Sequence, residues 1–173
     1  MIRRMLVAII LFTFGPSAVA AQLLPQFRIS LENTATHFQT QAVKRFADEL
    51  THRLASHIDV QFYADAQLFR DSDVIQALAQ GKVEMAVPGT WHVMRFEPSV
   101  GVFLLPVFYG RSAQTNYRIL DSAIGETINQ RIETALKFKV LGSWMDLGHA
   151  HLFGVNQNIK RHADIRGLRV RVA

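Results

Sequence analysis

Near its C-terminus the chain reads Asp164-Ile165-Arg166-Gly167-Leu168-Arg169-Val170-Arg171-Val172, a turn feeding a run in which apolar and basic residues alternate. Side chains on a strand alternate faces, so Leu168, Val170 and Val172 share one side while Arg169 and Arg171 share the other. A guanidinium on the wet face of such a strand presents a planar fork of donors suited to bidentate carboxylate binding. That contact is worth about 1.5–3 kcal/mol when partly desolvated. The plainer reading is a solvated arginine on an edge strand, which contributes little.

Other residue types with chemical potential cluster just upstream. His149, His151 and His162, with Asp146 and Asp164, offer ligands for zinc, and a His-x-His pair puts two imidazoles on one strand face. The spacing lacks the helical His-Glu-x-x-His arrangement, so no metal site is expected. The chain has no cysteine, which removes thiolate nucleophiles and disulfides. It also has no Gly-x-Ser-x-Gly elbow, and Gly81-Lys82 lacks both the earlier glycine and the hydroxyl partner of a phosphate loop. Binding without catalysis, and without a cofactor, is the expectation.

These residues must be carried by an exported domain. Arg3 and Arg4 precede an apolar run from Met5 to Phe14, then Gly15-Pro16 and the small-residue box Ala18-Val19-Ala20-Ala21. The run is short of the roughly 20 residues that span a bilayer, so residues 1–21 read as a cleaved signal peptide rather than a retained anchor. A periplasmic location follows, and no second stretch approaches spanning length. Cleavage lowers the Lys and Arg count from 19 to 17 against 14 acids, leaving a net charge of +3. Lys160, Arg161, Arg166, Arg169 and Arg171 concentrate basic charge at the end of the chain. Such a cluster suits an anionic surface, nucleic acid or anionic small molecules, and export makes nucleic acid the poorest of these.

The hydrophobic patterning sets the scaffold. Phe27 to Leu31 alternates as a strand, and Phe38, Ala42, Phe46, Leu50 and Leu54, widened by Val43 and Ala47, mark the inward stripe of a helix. A strand over Ile58–Phe62, a helix over Ser72–Gln80 with Val74, Ile75 and Leu78 inward, and a strand over Val83–Val87 follow. This β-α-β-α-β order predicts an α/β fold with a parallel-rich sheet flanked by helices. Val102 to Pro106 is expected as a buried strand or connector, and two helices are expected between Ser112 and Lys137, the second capped at Asp121-Ser122. Val140–Trp144 and Leu152–Val155 read as further strands.

The Asp164 to Val172 run resembles the carboxylate-binding strand of solute-binding proteins from tripartite ATP-independent periplasmic (TRAP) transporters, the dicarboxylate-binding family 7. Further points of likeness are His37 nine residues before Phe46, the Gly81-x-Val83-Glu84-Met85 strand entry, and Phe103-Leu104-Leu105-Pro106-Val107-Phe108. The resemblance implies a two-lobed periplasmic-binding-protein-like fold that closes on a small organic acid and delivers it to the membrane subunits of a TRAP transporter. Residues 22–145 would form most of the first lobe and residues 146–173 only the start of the second, a C-terminally truncated form. Arg171 would hold the ligand carboxylate.

Two features depart from that pattern. Members usually carry a second arginine where this chain reads Asp146-Leu147-Gly148-His149-Ala150-His151. His149 or His151 is the candidate substitute, against a surface or packing role. Glu32, at the end of the first strand, stands at a cleft-facing position where a neutral polar residue is common, and would pair with Arg171 or with a ligand amine or hydroxyl. Trp91, after the third strand, either lines the cleft or packs into the core. An extracytoplasmic ligand-sensing domain uses the same fold physics and is the alternative function.

Overall fold

The computed structural model describes residues 23–148, 151, 153–155 and 158–171. Residues 1–21, expected as a signal peptide, and His149 and Val172 lie outside the described residues. Strand β1 (Gln26–Ser30) sits in the middle of a three-stranded parallel sheet, with β2 (Asp59–Tyr63) on one side and β3 (Met85–Ala86) on the other. Phe27 lies opposite Val60 and Ile29 opposite both Phe62 and Met85, so the register aligns apolar residues across the sheet. Helix α1 (Phe38–Leu54) makes the first crossover and α2 (Asp71–Ala79) the second. A short helix α3 (Thr90–Val93) follows β3. Two 3-10 segments, Pro98–Leu104 and Pro106–Phe108, then lead into α4 (Ala113–Leu120) and α5 (Ala123–Leu136).

The α/β architecture read from the sequence is therefore present, with a parallel sheet flanked by helices. Local chemistry explains where the later helices begin. The Ser112 hydroxyl accepts from the Thr115 N–H and the Ser122 hydroxyl from the Ile124 N–H, satisfying orphan donors at the starts of α4 and α5. Lys137 ends α5 in the left-handed region at φ 59°.

Two apolar clusters hold the molecule together. One joins Ile29 and Leu31 of the β1 segment to Val43 and Ala47 of α1, with Phe27, Val60, Phe62, Met85 and Val87 packed around them. The other centres on Val100, Ile128 and Ile132 and gathers Phe103, Val140 and Trp144. Each fully buried aliphatic side chain contributes about 1.5–3 kcal/mol.

Several expectations are corrected. The buried stripe of α1 is Gln39, Thr40, Val43 and Ala47, whereas Phe38 and Phe46 of the expected stripe are 52% and 41% exposed. The helix is rolled on the sheet so that small residues meet Ile29 and Leu31, and the phenylalanines lie along its flank. Of the two readings of Val102–Pro106, strand or connector, the structure shows the connector, built from 3-10 turns and not buried throughout, since Leu104 and Leu105 are exposed. Neither 140–144, 153–155 nor 168–171 forms a strand among the described residues. A strand exists only where a neighbour takes up its backbone groups, and the described residues supply none there.

A charged latch ties β1 to the entry of β3. The Arg28 Nε and Nη2 atoms donate to Glu84 at 3.0 and 2.7 Å, Nη2 also donates to the Gly81 carbonyl, and the Arg28 N–H donates to the same Glu84 carboxylate at 2.7 Å. The guanidinium hydrogen bond holds the Glu84 carboxyl below the usual glutamate range. A depressed folded-state value means that this stabilisation is complete above the ordinary glutamate pKa and is lost as the pH falls through the lowered one. Urea denaturation between pH 7 and pH 3 is expected to show a steeper acid loss of stability in the wild type than in Glu84→Gln. Equal slopes would mean that the latch contributes nothing.

Candidate ligand-binding cleft

In a sheet ordered β2-β1-β3, the connection from β1 to β2 and the connection from β2 to β3 run in opposite directions across the sheet, which opens a crevice beyond the carboxyl ends of β1 and β3. Open parallel sheets bind their ligands at that switch point. A cleft of about 740 Å³ lies there. Its sheet-side wall is Gln39, in the first turn of α1, together with Pro88, Gly89, Thr90 and Trp91 following β3. The opposite wall comes from the 3-10 segments, the first residues before α4, α4 itself and the stretch from Trp144 to Gly148.

The apolar part of the wall is aromatic. The Phe103 ring meets Phe108 and Trp144 edge-on at centroid distances of 5.5 and 5.2 Å. The Trp144 indole N–H donates to Asn129 Oδ1 at 2.7 Å, which fixes the ring in place. Trp91 folds back over Gly89, where a Cβ would collide with the indole. The two tryptophans of the chain, Trp91 and Trp144, therefore both face the cleft.

The polar part is sparse. Arg111 lines the cleft, with its Nε–H donating to the Val107 carbonyl at 2.7 Å, and it makes no ion pair among the described residues. Asp146 lines it as well, and one of its oxygens accepts from the Gly148 N–H at 2.8 Å. The Asp146 N–H donates to the Tyr117 hydroxyl at 3.3 Å. Asn116 adds an Oδ1 that is buried in the wall without a hydrogen-bond partner.

Of the ligand-binding candidates read from the sequence, Trp91 lines this cleft, and so does Asp146, which the sequence offered only as a metal ligand. Glu32 is next to it in role rather than in contact. Its Oε2 accepts from the Asp71 N–H at 2.7 Å, capping α2, and the Asp71 carboxylate in turn accepts from the Gly89 N–H at 2.9 Å. The chain Glu32, Asp71, Gly89 thus positions the turn that carries Trp91. His151 is exposed, with its ring 6.3 Å from Phe153. Arg171 is exposed and does not line the cleft. Among the described residues no group of three His, Asp or Glu side chains is placed to hold a metal ion, and no helix is long and apolar enough to cross a membrane.

Burial raises the Asp71 carboxyl above its ordinary range; the neighbouring Glu32 adds to this, while the Gly89 N–H and His92 oppose it. A raised folded-state pKa means that stability declines as the pH climbs from the ordinary aspartate range through the raised value. Asp71→Asn keeps an acceptor for Gly89 and removes the buried charge, so it is expected to unfold no more easily than wild type at pH 7. Asp71→Ala strands the Gly89 N–H and is expected to cost about 1–3 kcal/mol by urea denaturation. Equal stability of the two variants would discount the Gly89 bond.

The sequence reading missed Arg111, Asn116 and Gln39 as wall residues and weighed Asp146 only as a metal ligand. One signal was available: Arg111 is the sole charged residue between Glu97 and Arg118, at the end of an apolar stretch. An isolated cation there is an unusual placement for mere solvation.

The profile of "Bacterial extracellular solute-binding protein, family 7" matches residues 29–173. A solute-binding protein of Verminephrobacter eiseniae is 25% identical over 83% of this chain and 42% of its own length. A C4-dicarboxylate-binding protein of Bacillus subtilis is 24% identical over 76% of this chain and 37% of its own. The chain thus spans about two fifths of the length of these relatives. In structure it is similar to a TRAP periplasmic solute-binding protein of Sulfurospirillum deleyianum with bound succinate, at TM-score 0.60 and 18% identity, over 65% of this chain and 36% of that one. One from a Sulfitobacter species with bound β-D-galacturonate matches at TM-score 0.59 and 18% identity, over 64% and 36%. With a cleft at the switch point of a parallel sheet and a family match that runs through the Asp164 to Arg171 segment, the chain belongs to family 7 of the bacterial extracellular solute-binding proteins, the TRAP-type family.

Proposed function

We propose that this chain acts in the periplasm as the solute-binding component of a TRAP-type transporter, taking up a small organic acid and delivering it to the membrane subunits. The observation that carries this reading is the cleft beyond β1 and β3, lined by aromatic rings and by a guanidinium without an ion-pair partner. Family membership supports it, as do the ligands bound in structural relatives, which include succinate, galacturonate and glucuronate. All three carry carboxylates.

In this proposal the ligand occupies the first-lobe cleft, and Arg171 reaches its carboxylate when a second lobe closes. The Arg171 segment is exposed and unpaired with any strand, which leaves its guanidinium available for that closure. His149 and His151 would replace, by hydrogen bonding, the arginine the family usually carries. Trp91 forms the floor, and Glu32 acts through Asp71 and Gly89 rather than on the ligand. Export requires removal of residues 1–21, which mass spectrometry of the periplasmic fraction would detect.

Titration of the purified 173-residue protein with carboxylic acids, read by tryptophan fluorescence, tests the binding claim. Saturable change with at least one small organic acid at millimolar concentration, and none with the matching neutral sugar, is expected. A flat response to every acid overturns the reading.

A further inference from the structure

We propose that Glu32 and Asp71 form a proton-sensitive latch on the turn that carries Trp91, with Asp71 as the positioning residue. As a control on the cleft this rests on the reading of that cleft as the ligand site, but the latch itself is tested without ligand. Three contacts build it. The Asp71 N–H donates to Glu32 Oε2 at 2.7 Å, which brings two carboxylates together at the start of α2. Asp71 Oδ2 accepts from the Gly89 N–H at 2.9 Å, a side-chain bond from α2 to the turn after β3. Trp91 lies so close over Gly89 that a Cβ there would collide with the indole, so ring and turn move together.

One proton changes the chemistry of this latch. Ionised Asp71 offers Gly89 a charge-assisted acceptor, roughly twice as strong as a neutral one. It does so partly out of water and beside Glu32, which is the more exposed of the two carboxyls, and both conditions favour the neutral acid at Asp71. Once protonated, Asp71 keeps a neutral oxygen for Gly89 and gains an O–H that the Glu32 carboxylate can accept. The side chain is drawn toward Glu32, its hold on Gly89 weakens, and the Trp91 turn loosens. The fold as a whole does not weaken, because discharging a partly buried carboxyl favours the folded state. Two elements pack on α2, namely β3 and α3. β3, Met85–Ala86, has no titratable side chain, and α3 contributes His92, which acts on Asp71 and lies 5.9 Å from the Trp91 ring. On the segment of Asp71 itself, Arg70 precedes it and Asp73 follows.

The test reads Trp91 in the 173-residue protein with Trp144→Phe as background, by acrylamide quenching from pH 7 to pH 3.5, with circular dichroism to follow the fold. Wild-type Asp71 is expected to give one reversible transition to a more quenchable Trp91. Asp71→Asn imitates the protonated acid, since its amide oxygen accepts from Gly89 and its NH2 donates to Glu32. It should resemble the acid form already at pH 7 and lose the transition. Glu32→Gln keeps an acceptor for the Asp71 N–H but removes the neighbouring charge, and should move the midpoint to lower pH. A merely structural role for Glu32 would alter stability and leave that midpoint in place, and an unmoved midpoint overturns the pairing. A transition that persists in Asp71→Asn and vanishes in His92→Gln belongs to His92 and overturns the latch. The Gly89 amide resonance, followed by NMR in the unsubstituted protein, needs no tryptophan replacement. It should move with pH in wild type and stay fixed in Asp71→Asn, and a wild-type resonance indifferent to pH overturns the proposal. No ligand enters these measurements, so they hold or fail separately from acid binding in the cleft.

Discussion

Gly125→Ala is expected to destabilise the protein by about 3 kcal/mol, although alanine is intrinsically the better helix former by about 1 kcal/mol. Gly125 is buried in the first turn of α5, where the chain has just turned back from α4 through Asp121 and Ser122. A Cβ at this position would overlap the carbonyl oxygen of Leu120 and stand 2.6 Å from its carbonyl carbon. The obstacle is backbone, which cannot swing aside as a flexible side chain can, so the two helices must separate. Asn116, Tyr117 and Leu120 of α4 all line the cleft, and their displacement would carry one wall with it. Urea denaturation should therefore show a lowered midpoint, and tryptophan fluorescence a weakened response to acid ligands. A variant as stable as wild type, or more so, would mean that helix propensity outweighs the close approach and that the corner is looser than its geometry indicates.

The Gly125 corner also illustrates what local sequence patterns convey. A glycine in a helical pattern reads as a point of weakness, because propensity is a property of the residue and its immediate neighbours. Its true role depends on a carbonyl from the preceding helix. The same division runs through the whole fold. Strands β1 and β2, helices α1 and α2, and the Ser122 cap are legible because alternation, helical periodicity and capping act over a few residues. The segment at 168–171 alternates just as well, yet neither it nor the apolar run at 140–144 forms a strand among the described residues, since pairing is a non-local event that pattern alone cannot supply.

The cleft was legible only in outline. Its place follows from strand order, and Trp91 could be anticipated because it stands directly after β3. Arg111, Asn116 and Asp146 come from a 3-10 exit, a helix and an extended stretch, and no spacing rule joins them. Arg171 presents the opposite case. Its sequence context is the most distinctive in the chain, yet it is exposed and stands outside the lining of the cleft.

Ile29→Ala is expected to cost about 2–5 kcal/mol, and Phe46→Ala less, about 1–2 kcal/mol, despite the larger side chain lost from α1. Ile29 is fully buried in β1, the central strand of the sheet, facing Phe62 on one neighbour and Met85 on the other, and packs beneath Val43 and Ala47. Removing its branched chain leaves a cavity bounded by three secondary-structure elements that hydrogen bonds hold in place, so little collapse can fill it. Phe46 keeps 41% of its surface in water on the flank of α1, so its truncation forfeits only part of the burial that a core phenylalanine has and leaves no enclosed cavity. The order of the two costs discriminates between placements of α1: a helix packed through its phenylalanine stripe would make Phe46 the more damaging loss. Damage at Ile29 should reach the cleft as well, because β1 leads directly to Glu32, whose cap on α2 positions Asp71 and through it the Gly89 turn beneath Trp91. Paired urea denaturation curves decide the order. Fluorescence titration of the Ile29 variant under conditions where it remains folded shows whether a core defect in the central strand propagates to its carboxyl end.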